Sequence, residues 1–183
     1  RNGIVYLQSG GHALAVTLDG GTRREGDVVL DGCWNATANA AGTIATANAH
    51  FQHAVYFYDG QFRKTAACAE YKPKNYDGPT RVEAGQSGDF YGLDRDQNRV
   101  LRMSPAGRVV RVIAYAADMP LATDMRVAEQ AEAVFLLAQD NHVHCVGFDG
   151  AEKWKRAVPG GRNAVWTVDD SGGLAVSRGH DVL

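Results

Sequence analysis

Five short apolar runs recur along the chain at nearly constant intervals, and each begins directly after a polar turn. The positions that open these runs are 41, 46, 43 and 38 residues apart: His12, His53, Arg99, His142 and His180. An interval of about 40–45 residues is typical of folds that repeat one four-stranded unit around an axis. Because such a unit buries its apolar faces only against its neighbours, the interval constrains the whole architecture.

The segment 79–115 shows the repeating unit most clearly. Strands are predicted at 80–84, 90–93, 99–103 and 108–113, because β-branched and aromatic residues alternate there with turns rich in Gly, Asp and Asn. The same order of strands and turns predicts five units, which lie at residues 1–32, 33–70, 79–115, 123–160 and 163–183. We therefore predict an all-β fold, a β-propeller of four-stranded antiparallel blades, with about four to five blades in one domain.

One unit also resembles a known repeat family. The sequence SGDFYGLD at 87–94, followed by QNRVLR at 97–102 and PAG at 105–107, resembles the NHL repeat. The unit that contains FDG at 148–150 and Trp154 looks like a repeat of the quinoprotein type. The NHL resemblance implies a six-bladed propeller.

The number of predicted units does not close a ring of six. The chain begins on the second strand of one unit and ends within the third strand of another. An open propeller would leave sheet faces and edges in water, so we expect these residues to be part of a larger propeller, with the remaining blades on a missing segment or another chain. In the alternative, the strand at 164–168 completes the first unit and closes a four-bladed ring.

Composition excludes several classes of partner. The chain has 19 Lys and Arg against 21 Asp and Glu, so its small negative net charge gives no general attraction to nucleic acid or to an anionic membrane. It has no run of 18 apolar residues that would insert into a membrane. No targeting segment is visible, so neither a cytoplasmic nor an extracytoplasmic location is indicated. The three cysteines lack metal-site spacing and are predicted to be buried thiols.

Histidine occupies the repeat position in four of the five units, which admits two interpretations. An arc of imidazoles would form a cation site or a pH-sensitive surface. We favour the other interpretation, in which each side chain bonds the backbone of a neighbouring blade, as the Arg of NHL repeats does. His142 and His144 are candidate metal ligands, because residues two apart share one face of a strand, but no third ligand is indicated.

One unit is locally basic, and this raises the question of RNA. Arg95, Arg99 and Arg102 are the candidate partner-binding residues, and the NHL resemblance implies a family in which some members bind RNA through a positive face. Arg99 and Arg102 differ in parity, however, so they should point to opposite faces of their strand. Asp94 and Asp96 also neutralise the turn. We therefore favour inter-blade or solvated arginines over a nucleic-acid partner, and RNA binding through this Arg-rich unit stays a further alternative.

The sequence contains no phosphate-binding glycine loop, dinucleotide motif or nucleophile elbow. The leading hypothesis is therefore a non-enzymatic binding or scaffolding module, without a cofactor, that presents a propeller face to a protein or glycan partner. The alternative is a metal-dependent lactonase or hydrolase of the kind found on six-bladed propellers. Its axial divalent cation would be held by acidic and amide side chains on the inner strands, such as Asn35, Glu83 and Asp124.

Overall fold

The computed structural model describes residues 4–9, 12–17, 23–26, 33–48, 54–71, 79–161, 164–178 and 181–182. For residues 4–9, 12–17, 23–26, 33–34, 178 and 181–182 it describes the backbone alone. The strands, in chain order, are β1 (Ile4–Ser9), β2 (His12–Thr17), β3 (Arg23–Gly26), β4 (Cys33–Ala38), β5 (Ile44–Asn48), β6 (Ala54–Tyr58), β7 (Lys64–Cys68), β8 (Arg81–Ala84), β9 (Phe90–Asp94), β10 (Arg99–Met103), β11 (Val109–Ala114), β12 (Ala122–Ala128), β13 (Ala133–Ala138), β14 (His142–Gly147), β15 (Glu152–Ala157), β16 (Val165–Val168), β17 (Leu174–Arg178) and β18 (Asp181–Val182).

These strands form five antiparallel sheets, and each sheet is built from consecutive strands. Sheet 1 comprises β1–β3, sheet 2 β4–β7, sheet 3 β8–β11, sheet 4 β12–β15 and sheet 5 β16–β18. A short 3-10 turn, Arg95–Gln97, connects β9 to β10. The predicted all-β architecture of antiparallel units is therefore confirmed, with three four-stranded and two three-stranded sheets.

In sheets 2 to 5, the strand that comes first along the chain lies innermost. β4 packs beside β8, β8 beside β12, and β12 beside β16, so the inner strands of four sheets are neighbours around a common centre. Among the described residues, the outer strands β7, β11 and β15 each pair with a single strand. The sheets therefore radiate from the inner strands.

Apolar side chains fill the spaces between the sheets. Every residue of β9 and of β13 is buried, because both faces of these strands are covered by neighbouring sheets. Phe90 packs with Phe57 of sheet 2, whereas its neighbour Tyr91 packs with Phe148 of sheet 4. This alternation follows from the two-residue period of a strand, and it explains why these segments are continuously apolar rather than amphipathic.

Two further expectations concern single features. Cys68 and Cys145 are buried free thiols, as expected, and the side chain of Cys33 lies outside the described residues. Within the described part of the chain, no helix is long and apolar enough to cross a bilayer.

Candidate functional site

Polar side chains of adjacent inner strands bond to one another across the sheet boundaries. The Oδ1 atom of Asn35 on β4 accepts the N–H of Val82 on β8 at 2.6 Å. The Nε atom of Arg81 on β8 lies 2.9 Å from Oδ1 of Asp124 on β12. The indole N–H of Trp166 on β16 donates to Oδ2 of the same carboxylate at 3.1 Å. We call this chain of contacts the axial arc: Asn35, Arg81, Glu83, Asp124, Arg126 and Trp166.

Within the axial arc, Arg126 contacts both Asp124 and Trp166. Its NH1 nitrogen lies 3.2 Å from Oδ1 of Asp124 and donates to the carbonyl oxygen of Met125 at 2.6 Å. Its guanidinium carbon lies 4.9 Å from the centre of the Trp166 ring, which is within cation–π distance. The Asp124 carboxylate therefore holds two guanidinium groups and one indole.

Within the axial arc, the surroundings of Glu83 disfavour the charged form of its carboxyl group. Burial raises the pKa of Glu83 to about 7, and the nearby negative charge of Asp124 also raises it. The guanidinium of Arg126 and the N–H of Val127 act in the opposite direction. Its buried Oε2 atom has no hydrogen-bond partner among the described residues. Glu83 therefore changes protonation near neutral pH inside the axial arc.

A pocket of about 640 Å³ opens at the end of the sheets where the inner strands begin. Its lining is mostly polar: Arg81, Thr123, Asp124, Leu137, Asn141, Gly160 and Gly161. We call this end of the molecule the pocket face; it includes the turns at 94–98 and 139–141. The opposite face carries the turns at 39–43, 85–89, 104–107 and 148–151.

Local sequence explains the shape of the pocket rim. Gly160 and Gly161 have φ values of 89° and 61°, in the left-handed region that favours glycine. Asn141, which also adopts this region with φ of 62°, closes the turn between β13 and β14. The Thr123 hydroxyl donates to the carbonyl oxygen of Leu137 at 3.1 Å and is thereby held against the wall.

The proposed axial-cation residues are neighbours, but the side-chain oxygens of Asn35 and Asp124 already contact protein groups. Asn35, Glu83 and Asp124 lie on the adjacent strands β4, β8 and β12. The Asp124 carboxylate bonds Arg81, Arg126 and Trp166, and Asn35 bonds the N–H of Val82. Among the residues that the structure describes, no group of three or more His, Cys, Asp and Glu side chains could hold a metal ion. This arrangement fits guanidinium and N–H partners, and the cation hypothesis stays a prediction.

The two candidate metal-binding histidines lie side by side on β14, away from the axial arc. Their ring centres are 6.4 Å apart. The Nδ1 atom of His142 is 2.9 Å from the carbonyl oxygen of Asp140, and Nε2 of the buried His144 is 3.3 Å from the Asp140 carboxylate. Nδ1 of His144 lies 3.6 Å from a carboxylate oxygen of Glu152. The side chains of the other repeat-position histidines, at 12, 53 and 180, lie outside the described residues.

The candidate partner-binding arginines point in different directions, as their parity predicts. Arg99 bonds the Asp94 carboxylate at 2.8 Å and donates to the carbonyl oxygen of Glu70, which follows β7 of sheet 2, at 2.9 Å. Arg102 faces sheet 4 instead, where it lies 2.8 Å from Asp89 and 3.9 Å from Glu129. Arg99 thus makes the contact to a neighbouring sheet's backbone that the repeat position predicts, whereas His142 bonds its own turn.

Arg95 lies in the 3-10 turn that follows β9, on the pocket face. It is therefore separated from Arg102, whose partners Ser87 and Glu129 lie on the opposite face. No continuous arginine surface joins these candidates in the described residues.

Arg81, Arg126 and Trp166 are the members of the axial arc that sequence reasoning missed. A signal for Arg81 and Trp166 exists in the chain, because Asn35, Arg81, Asp124 and Trp166 are 46, 43 and 42 residues apart. The first two intervals equal those between His53, Arg99 and His142, at which the repeat was aligned. Extending that alignment from the turns to the inner strands would have placed these residues in one ring.

Comparison with known proteins identifies the architecture. No family model and no curated protein sequence matches the chain. Solved structures do match: a streptogramin B lyase, with a TM-score of 0.71 and 14% identity, over 96% of this chain and 59% of that chain. The chain is a β-propeller. Two other similar structures support the assignment: virginiamycin B lyase from Staphylococcus aureus (TM-score 0.67, 14% identity, 97% of this chain, 67% of that chain) and the WD40 β-propeller domain of Doa1 (0.66, 13%, 100% and 60%).

The propeller spans about three fifths of the length of the streptogramin B lyase and of the Doa1 domain. These shares agree with the expectation that the chain represents part of a larger propeller. The total of six blades and the specific NHL resemblance stay predictions. Since the identities are 13–14%, the likeness establishes the fold, and the site must be interpreted from its own residues.

Proposed function

We propose that this propeller is a non-enzymatic binding module that receives a segment of a protein partner on its pocket face. The observation that carries the proposal is the polar pocket at the start of the inner strands, bounded by Arg81, Asp124 and Asn141. A concave site with a few convergent polar groups is the usual form of a binding site.

The scaffold beneath the pocket supports this function. β13, which contributes the lining residue Leu137, is buried along its whole length. Three side chains hold Asp124 in place, and each of them lies on a different inner strand. Groups that are fixed before binding lose little conformational entropy when a partner arrives. The pocket is therefore preorganised for hydrogen bonding.

Selection of random peptides displayed on phage tests the proposal directly. Peptides selected on the immobilised protein should lose binding when Thr123→Phe places a ring in the pocket. The matched control is Ala106→Phe, which places the same ring on an exposed turn of the opposite face. Circular dichroism establishes that both variants are folded.

Two results would contradict the proposal. One is the recovery of no peptides, or of peptides that lose binding equally in both variants, because the pocket face would then have no special role. The other is a change in the mass of bound peptides after long incubation, which would show chemical turnover. Binding that is confined to glycans on an array would replace the protein partner with a glycan.

A further inference from the structure

The pocket contains hydrogen-bond donors for which the described residues supply no acceptor. Arg81 uses Nε to bond Asp124, and its terminal nitrogens have no other partner among the described residues. The guanidinium group carries five N–H donors in a planar fork. Its side chain is 38% exposed and lines the pocket. The free part of the fork therefore faces the space that a ligand would occupy.

Asn141 supplies a second polar group on the same rim. Its backbone carbonyl accepts the N–H of Val158, whereas its exposed side-chain amide has no partner within the described part of the chain. Because the tight turn holds the backbone of Asn141 in the left-handed region, the position of its Cβ atom is fixed. Gly161 packs against the Asn141 side chain, because a Cβ atom at Gly161 would lie 2.7 Å from Oδ1 of Asn141.

The charges of the axial arc favour an anion over a cation. Arg81 and Arg126 contribute two positive charges, and Asp124 contributes one negative charge between them. Glu83, the remaining carboxyl group, is partly neutral near pH 7, since burial raises its pKa to about 7. The net charge therefore lies between zero and plus one. A net charge in this range suits a monoanion. A phosphate dianion would carry more negative charge than the axial arc can balance, and the Asp124 carboxylate would repel it more strongly.

We propose that the pocket binds a carboxylate of the protein partner, an Asp or Glu side chain, through the terminal nitrogens of Arg81 and the amide of Asn141. The inference rests on the proposed function and names the chemistry that the partner must supply. An arginine fork matches the two oxygens of a carboxylate and makes charge-assisted hydrogen bonds. Arg81 would thus bridge the internal carboxylate of Asp124 and the external one.

Trp166 provides the readout, because its indole bonds Asp124, the partner of Arg81. Replacing Trp34 and Trp154 with Phe leaves Trp166 as the sole tryptophan of the three in the chain. The probe is the capped peptide Gly-Gly-Asp-Gly-Gly, and the neutral control peptide carries Asn in place of Asp. We expect a saturable change of fluorescence with the Asp peptide, and affinity at least about tenfold weaker for the Asn peptide.

Variants of Arg81 complete the test. Arg81→Gln should lose the response, and Arg81→Lys, which keeps the charge without the fork, should weaken binding several-fold. Arg63→Gln is the control, because Arg63 is an exposed arginine paired with Asp59 in another sheet. Circular dichroism of each variant shows whether the fold is kept, and Arg81→Lys tests the proposal if Arg81→Gln does not fold.

Three results would overturn the inference: equal affinity for the Asp and Asn peptides, an unchanged response in Arg81→Gln, or stronger competition by inorganic phosphate than by acetate. Phage-selected peptides separate this inference from the proposed function. If the selected peptides require the pocket but contain no common Asp or Glu, the carboxylate is wrong and the binding module stands. If no peptide depends on the pocket, the proposed function itself fails.

Discussion

At the scale of single residues, buried carboxylates and their arginine partners affect the free energy of unfolding of this propeller. Asp94 is fully buried at the end of β9, and burial raises its pKa despite the opposing contact with Arg99. Arg99 spans two sheets, since it bonds both Asp94 and the carbonyl oxygen of Glu70. Removing one partner of a buried ion pair leaves the other charge without compensation, which costs more than the pair contributes when both are present.

We therefore expect Arg99→Ala to lower the free energy of unfolding by about 3 kcal/mol, as measured by urea denaturation at pH 7. Arg63→Ala removes an exposed ion pair with Asp59 and should have a much smaller effect. Equal losses in the two variants would show that Asp94 is compensated by other groups.

Glu83 predicts a specific dependence of stability on pH. Its pKa in the folded protein is raised from 4.5 to about 7, mainly by burial. Between these values the folded protein retains a proton that the unfolded chain releases, so the free energy of unfolding falls as pH rises. Across pH 5 to 8 the contribution of Glu83 to this fall is about 2–3 kcal/mol.

Glu83→Gln removes this titration, and its urea-denaturation midpoint should therefore depend less on pH than that of the unaltered protein. Glu132→Gln, at an exposed turn position, is the control and should leave the dependence unchanged. If both variants follow the original profile, Glu83 is charged in the folded protein throughout this range.

At the scale of elements, the turns between outer strands fix the spacing of adjacent sheets. Gly107 lies in the turn between β10 and β11 with φ of 76°. A Cβ atom at this position would lie 2.7 Å from the carbonyl oxygen of Ala67 on β7, in the preceding sheet. Glycine is therefore required there both by the backbone conformation and by the close approach of a neighbouring strand.

Gly107→Ala should lower the free energy of unfolding by about 2 kcal/mol or more, because it adds both left-handed strain and a steric clash. Gly60→Ala is the matched control in the corresponding turn of sheet 2. Its Cβ atom would lie 4.0 Å from the nearest backbone atom, the carbonyl oxygen of Gly42, and we expect a change within about 0.5 kcal/mol. Thermal or urea unfolding of both variants measures the difference.

At the scale of the whole molecule, stability comes from the packing of each sheet between its neighbours. Separate apolar clusters fill the spaces between sheets 2 and 3, sheets 3 and 4, and sheets 4 and 5. The second strand of a sheet, such as β9 or β13, is buried on both faces, whereas most residues of the outer strands β11 and β15 are exposed. Stability therefore decreases from the centre of the ring to its rim.

Native-state hydrogen exchange should show this gradient. Backbone amides of β9 and β13 are expected to exchange slowest, with opening free energies close to that of global unfolding. Amides of β11 and β15 should exchange orders of magnitude faster, because one edge of each strand pairs with no other strand in the described part of the chain. Uniform protection across a sheet would contradict radial packing as the source of stability.

The repeat, the order of the strands and the antiparallel pairing within each sheet were all evident in the amino-acid sequence. Alternating side chains and turn residues act over a few positions, so local patterns predicted β10 at its observed bounds. The inner-strand positions of Asn35, Glu83 and Asp124 were also predicted. Only the tertiary structure showed that Arg81, Arg126 and Trp166 meet Asp124, since that depends on how far each sheet is offset from the next. Residues 43 and 42 positions apart become partners through packing between sheets, which no local pattern encodes.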